Sequence, residues 1–280
     1  MGTIAGEYKT LKIALDGSIA KLTFSQPEKA NAMTRDFWDE LPRALDQIEQ
    51  TNDLRALIIS GDGKHFSSGM DLSLFAGNPA LNCSNPRERE RLRRLIVELQ
   101  DLFSRLEHFH FPVITAVQGA CLGAAFDLVC ASDLRYATKQ AYFCIQEINI
   151  GMMADLGVLQ RLPKLIPDGV ARELAFTGDK LPAERALQLG LLSAVFDSEE
   201  EMHNEVNNVA RKIAARSPLA VASSKESLNF ARDNSVQAAL SQAAILQSSI
   251  IDPEDLGRAA QAAAKKTEAN FDKLLASVKI

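Results

Sequence analysis

The sequence predicts an α/β core followed by a helical C-terminal region, and three observations carry that prediction. Short, nearly continuous apolar runs recur at "LRALIIS" (54–60) and "FPVITAV" (111–117), with "AYFC" at 141–144; such runs suit strands buried within a sheet. Segments of helical period alternate with them. From about Glu199 the chain turns to helix rich in Ala, Glu, Lys and Gln, punctuated by Pro218 and Pro253. The expected division is therefore 1–198, a core, and 199–280, a set of helices.

Taken in order, "LKIALDG" and "SIAKLTF" meet at Asp16-Gly17, a hairpin signal. Thr34 is placed to cap a helix over "RDFWDELPRALDQIEQ", with Pro42 expected to disturb it. The run at 54–60 reads as a buried strand, and "AGNPALNCSNP" at 76–86 as a loop. Leu92, Leu95, Ile96, Leu99, Leu102, Phe103 and Leu106 then recur at steps of three and four, one apolar stripe on a long helix. At its start "RERERLRR" (87–94) reads as a solvated charged face, with contact to a ligand phosphate as the alternative.

Composition bounds the function. The chain has 280 residues, 46% hydrophobic and 24% charged, as an ordinary globular protein does. A net charge of −5 argues against a general nucleic-acid binder, because nothing overall attracts a polyanion. No apolar run approaches a membrane span. The start "MGTIAGEYKT" lacks signal or transit character, and the closing "VKI" is not a peroxisomal "SKL". Cys83, Cys121, Cys130 and Cys144 form no C-x-x-C pair, so neither a zinc site nor a disulfide framework is indicated. His108 and His110, expected on one strand face, have no partner nearby in sequence for a metal. A reducing, cytoplasmic location is the expectation.

Three stretches bear chemistry. In "HFSSGMDLSLF" (65–75), small residues leave the buried strand and Asp71 opens a short helix; such a turn can aim a main-chain N–H at a ligand or be a plain connection. In "AVQGACLGAAFDLVCASDLRYA" (116–137), Gly119, Gly123, Ala124 and Ala125 stand where a helix begins. Its unpaired N–H groups could hold a developing oxyanion, or the small residues could serve tight packing. In "IQEINIGMMADLG" (145–157), Glu147 and Asp155 sit among apolar residues, where acids are rare unless paired or used. Asp155, taken alone, is equally well placed to cap the helix over "LGVLQRL".

Together these stretches resemble the crotonase (enoyl-CoA hydratase/isomerase) superfamily over nearly the whole chain. The resemblance implies a spiral of ββα units with C-terminal helices that mediate trimerisation, trimers often pairing into hexamers. It implies that "PEKANAM" (27–33) binds CoA, with Lys29, Ala30 and Ala32 at the site. It makes the main-chain N–H groups of Met70 and Ala124 the two oxyanion donors, with Ser68, Gly69, Asp71, Leu72 and Gly123 beside the substrate. Where the family has three glycines this chain has Gly123-Ala124-Ala125, whose methyls are expected to narrow the site and leave the donors in place. Lys265, Lys266 and Lys273 would meet CoA phosphates of a neighbouring subunit.

The acids set the implied reaction. Asp127, Glu147 and Asp155, spaced twenty and then eight residues, are similar to the dienoyl-CoA isomerase branch. That branch converts 3,5-dienoyl-CoA to 2,4-dienoyl-CoA in unsaturated fatty-acid β-oxidation. By this resemblance Glu147 removes the C2 proton, Asp155 delivers one at C6, and Asp127 tunes or orients the other two. No metal or redox cofactor is implied, CoA entering as part of the substrate. Two other readings stand beside it. An enoyl-CoA hydratase would use Asp127 and Glu147 to hold a water, and a non-catalytic member would bind acyl-CoA or RNA.

Overall fold

The computed structural model describes residues 2–3, 7–75, 81 and 83–275. Of the loop expected at 76–86, residues 76–80 and 82 lie outside the described residues, as do 276–280 with the closing "VKI".

The chain opens with β1 (Gly2–Thr3), β2 (Leu11–Asp16) and β3 (Ile19–Phe24), then α1 (Arg35–Gln50) and β4 (Ala56–Gly61). α2 (Pro86–His108) leads to β5 (Val113–Val117), β6 (Ala120–Leu122) and α3 (Ala124–Cys130). β7 (Leu134–Thr138), β8 (Tyr142–Cys144), α4 (Val158–Arg161) and α5 (Asp168–Thr177) follow. β9 (Leu181–Pro182), α6 (Ala183–Gln188) and β10 (Ala194–Phe196) precede four tail helices: α7 (Glu199–Ala214), α8 (Pro218–Asp233), α9 (Val236–Ile250) and α10 (Pro253–Lys265).

The main sheet runs β1-β2-β3-β4-β5-β7-β10, and a second sheet runs β6-β8-β9. The hairpin expected at Asp16-Gly17 pairs Asp16 with Ile19 in an antiparallel ladder. From β3 onward the neighbours are parallel, so each step along the sheet needs a crossover, and each crossover carries a helix. The expected α/β class is therefore observed.

Strand alternation divides the core. Leu57 and Ile59 of β4 and Val113 and Val117 of β5 face the larger core. Ala56, Ile58, Ile114 and Ala116 face the other way, against Met202, Val206 and Ala210 of α7. Burial on both faces explains why these strands read as unbroken apolar runs. The first tail helix is consequently a layer of the core. α8 is tied down by Lys225, whose buried ammonium donates to the Leu106 and Phe111 carbonyls (2.6 and 3.0 Å) and to Asp133 (2.7 Å). α9 buries none of its residues and exposes Val236, Leu240 and Ile245.

Two local expectations need adjustment. α1 runs through Pro42, capped by Thr34, whose hydroxyl accepts the Phe37 N–H. Proline removes one main-chain donor there, and the apolar face of Phe37, Leu41, Ala44, Leu45 and Ile48 holds the helix to the core regardless. In α2 the expected stripe is deeply buried only at Phe103 and Leu106, while the first turns lie at the surface with a Glu90–Arg93 pair. His108 closes α2 and His110 follows in the turn, so no strand carries both. No helix among the described residues is long and apolar enough to cross a membrane.

Candidate active site

Three segments distant in sequence are stitched side by side. Buried Asn31, in left-handed backbone (φ 51°), donates its amide to the carbonyls of Asp62 and His65 (2.9 and 2.8 Å) and accepts the Gln26 N–H at 2.8 Å. Ser68 N–H donates to the Ala30 carbonyl at 2.9 Å. The Ser67 hydroxyl donates to the Asn31 carbonyl (2.8 Å) and accepts the Gly69 N–H (3.0 Å). On the other flank, Leu122 N–H donates to the Ser67 carbonyl at 3.1 Å.

That stitching aims the two expected donors. Met33 N–H donates to the Gly69 carbonyl (2.8 Å) and Asp71 N–H to the Met33 carbonyl (3.2 Å). The bridge uses groups on either side of Met70, so the Met70 N–H faces the opposite edge. Gly69 has φ +81°, and a Cβ there would fall 2.4 Å from the Leu122 carbonyl oxygen and 3.5 Å from the Ala124 nitrogen. Only glycine lets the turn lie this close to the start of α3. Gly123 enters α3 with φ 52° and ψ −126°, and Ala124, its first residue, has an N–H with no intrahelical acceptor. Met70 therefore lies close to Ala124, at the start of α3.

A cavity of about 390 Å³ opens onto that spot, and Met70, Ala124, Glu147 and Asp155 all line it. The predicted Ala32, Ser68, Asp71, Leu72 and Gly123 line it too. Asp71 caps the short 3-10 turn Leu72–Leu74, as the sequence suggested, by accepting the Ser73 N–H. Ala125 lies in the core and does not line the cavity, whereas Ala124 lines it and is 2% exposed. A larger cavity of about 870 Å³ lies under α8, α9 and α10. Among its charged groups, Lys225 pairs with Asp133 and Arg232 with Glu107.

Glu147 stands on a 3-10 turn (Gln146–Ile150) and packs on Gly123, where a Cβ would lie 3.0 Å from its Oε1. Its Oε2 is buried without a protein partner. Burial, helped by the charge of Asp155, pushes its carboxyl up to about 7. Asp155 is half-buried, and burial raises it as well. Its side chain caps nothing: α4 begins at Gly157 without a side-chain cap. The capping alternative for Asp155 is thereby corrected, and the acid that serves α4 is Asp127.

Asp127 is fully buried on α3 and does not line the cavity. Its Oδ1 accepts the Val158 N–H at 2.5 Å, and its Oδ2 is buried without a partner. Burial and then the Glu147 charge hold it well above the usual carboxylate range. It satisfies an orphan donor at the first turn of α4.

The remaining expected residues lie farther out. Lys29 is exposed at the end of a 3-10 turn (Pro27–Lys29), and Ala30 follows in left-handed backbone. Lys265 and Lys266 close α10 at the surface and line no part of this cavity within one chain. Lys273 is exposed beyond it. Sequence reasoning missed Ile150 as a lining residue. It also missed Gln100, which donates to the Asp155 carbonyl at 2.6 Å. A glutamine inside a helix carries no local signal of such a task.

The family pattern of Enoyl-CoA hydratase/isomerase matches residues 15–273. A protein of Arabidopsis thaliana named Delta(3,5)-Delta(2,4)-dienoyl-CoA isomerase, peroxisomal, is 40% identical over 273 residues, 95% of this chain and 98% of its own. The Mus musculus protein of that name, mitochondrial, is 38% identical over 93% of this chain and 81% of its own. The crystal structure of an enoyl-CoA hydratase from Bacillus anthracis superposes with a TM-score of 0.85 at 26% identity, covering 94% of this chain and 99% of that one.

Proposed function

The chain belongs to the enoyl-CoA hydratase/isomerase family, and we propose that it isomerises 3,5-dienoyl-CoA thioesters to 2,4-dienoyl-CoA thioesters. The observation that carries this reading is the single cavity holding Glu147 and Asp155 together with the Met70 and Ala124 N–H donors.

Charge on the thioester oxygen is what makes the C2 protons acidic. The two main-chain donors receive that oxygen, and losing one such donor typically costs about 3–4 kcal/mol of barrier. Glu147, against Gly123, is beside them and takes the C2 proton. A carboxyl near 7 is populated in both protonation states at neutral pH. The resulting dienolate spreads its charge to C6. Asp155, farther along the same wall and raised by burial, returns a proton there. C2 and C6 are too far apart for one short carboxylate, which is the physical need for two acids.

The hydratase reading is weaker on this geometry. It asks Asp127 and Glu147 to share a water, but Asp127 is behind the cavity wall with one oxygen committed to Val158. In the proposed reaction CoA arrives as part of the substrate and no resident cofactor takes part. The exposed apolar face of α9 suits a trimer or a pair of trimers. Unsaturated fatty-acid β-oxidation is the fitting setting. The relatives are named for peroxisomes and mitochondria, so the cytoplasmic expectation finds no support among them.

The test is to mix the protein with a 3,5-dienoyl-CoA and follow the ultraviolet absorbance of the conjugated product. Wild type should give a fast rise that Asp155→Asn abolishes. No rise, with hydration of a 2-enoyl-CoA alongside, would make the protein a hydratase.

A further inference from the structure

Asp155 lies in a segment with little structure of its own. Residues 152–157 belong to no helix or strand, and Gly157 bends the chain at φ +126°. The Asp155 carboxyl hangs from this stretch on a short side chain. Its position is therefore only as fixed as the main chain that carries it.

What fixes that main chain is α2. Gln100, Ser104 and Glu107 are spaced four and three apart, so they share one helix face. Each reaches the stretch 155–161. The Gln100 amide donates to the Asp155 carbonyl at 2.6 Å. The Ser104 hydroxyl accepts Arg161 Nη2 at 3.0 Å. The Glu107 carboxylate accepts Arg161 Nη2 and Nε at 2.6 and 3.1 Å. The Arg161 and Glu107 side chains are only 14% and 12% exposed, so water competes little for the pair. Arg161 also lies over Gly157, where a Cβ would come within 1.9 Å of its Nη1. Behind this ladder α8 braces Glu107, through Arg232 to its carboxylate and Asn229 to its carbonyl (2.9 Å).

We propose that Gln100 is a positioning residue for Asp155: its amide, backed by the Ser104–Glu107–Arg161 clamp, sets where the carboxyl that protonates C6 stands. The inference rests on the isomerase reading and deepens it. The Gln100 amide donates to the main-chain carbonyl of Asp155, and among the described residues it makes no hydrogen bond to Glu147. Its loss should injure the second proton transfer and spare the first.

That asymmetry is the test. Wild type, Asp155→Asn and Gln100→Met, which keeps length and loses the donor, are run with a 3,5-dienoyl-CoA in deuterated water. Product is followed by absorbance and C2 deuterium in recovered substrate by mass spectrometry. Gln100→Met should slow isomerisation by about 10- to 100-fold, as misplacement of a reacting group by an ångström does. C2 exchange should stay within about two-fold of wild type, the signature expected of Asp155→Asn. Equal loss of both, or loss of neither, overturns the proposal.

Gln100→Glu supplies a second readout. Its carboxylate repels the Asp155 carbonyl, whereas its protonated form can donate to it. The ratio of isomerisation to exchange should recover as pH is lowered from about 6 to about 4, through the ordinary glutamate range, and a flat ratio counts against positioning. A wild-type protein that exchanges or isomerises nothing sinks the isomerase reading itself, whatever the variants do.

Discussion

Replacing Glu147 by Gln should stabilise the folded chain at alkaline pH while abolishing turnover. The carboxyl is moved by burial from 4.5 to about 7. Each tenfold change in proton affinity is about 1.4 kcal/mol, so ionising Glu147 in the fold costs about 3 kcal/mol more than in the unfolded chain. Solvent at the cavity mouth trims this toward about 2 kcal/mol. The sign follows from proton uptake. Between about 4.5 and 7 the folded state holds a proton that the unfolded state has released, so stability falls as pH rises through that window. It is fully present below the window and flat above it. Glutamine has the same shape and no charge to desolvate.

The assay is urea unfolding of wild type and Glu147→Gln at fixed protein concentration, at pH values of about 4.5, 6, 7 and 8. The two should nearly coincide at the lowest pH, and the variant should lead by about 2–3 kcal/mol at the highest. In the same range wild-type kcat/KM should rise with an acid limb centred near 7, where Glu147 becomes a base. A stability difference that ignores pH, or one that grows in favour of wild type, would refute the reasoning.

Two further substitutions probe the frame around the acids. Gly69→Ala places a methyl 2.4 Å from the Leu122 carbonyl oxygen at φ +81°, so the turn must move and take the Met70 N–H with it. Steady-state kinetics should show kcat down about 10²- to 10³-fold with KM little changed, and a kcat within a few-fold of wild type would remove Met70 from the oxyanion site. Asp127→Asn preserves an acceptor for the Val158 N–H and should leave the urea midpoint nearly unmoved, whereas Asp127→Leu orphans that donor at a cost of about 1–3 kcal/mol. Equal stability of the two variants would mean that Asp127 does not hold the start of α4.

Much of the molecule was legible before any coordinates. The β4 and β5 strands were readable because both of their faces are buried, which leaves an uninterrupted apolar run. The turn at the cavity was readable because close backbone approach leaves small residues at Ser67, Ser68, Gly69 and Gly123, and the family resemblance proposed a purpose for them. Glu147 and Asp155 stood out as acids in apolar company, a local anomaly that costs energy unless used.

What the sequence left open was decided by contacts across long separations. Asp127 and Asp155 carry the same carboxyl, yet one holds the Val158 N–H thirty-one residues away and the other lines the cavity. On local grounds alone Asp155 reads as a helix cap, because capping preference depends only on neighbours in the chain. Gln100 was invisible, since its partner lies fifty-five residues on. Local periodicity and residue type determined which segments are strands and helices, and which residues are chemically unusual. Only the tertiary structure decided which acid lines the cavity and which side chain bonds its main chain, because burial and hydrogen-bond geometry are set by what packs alongside.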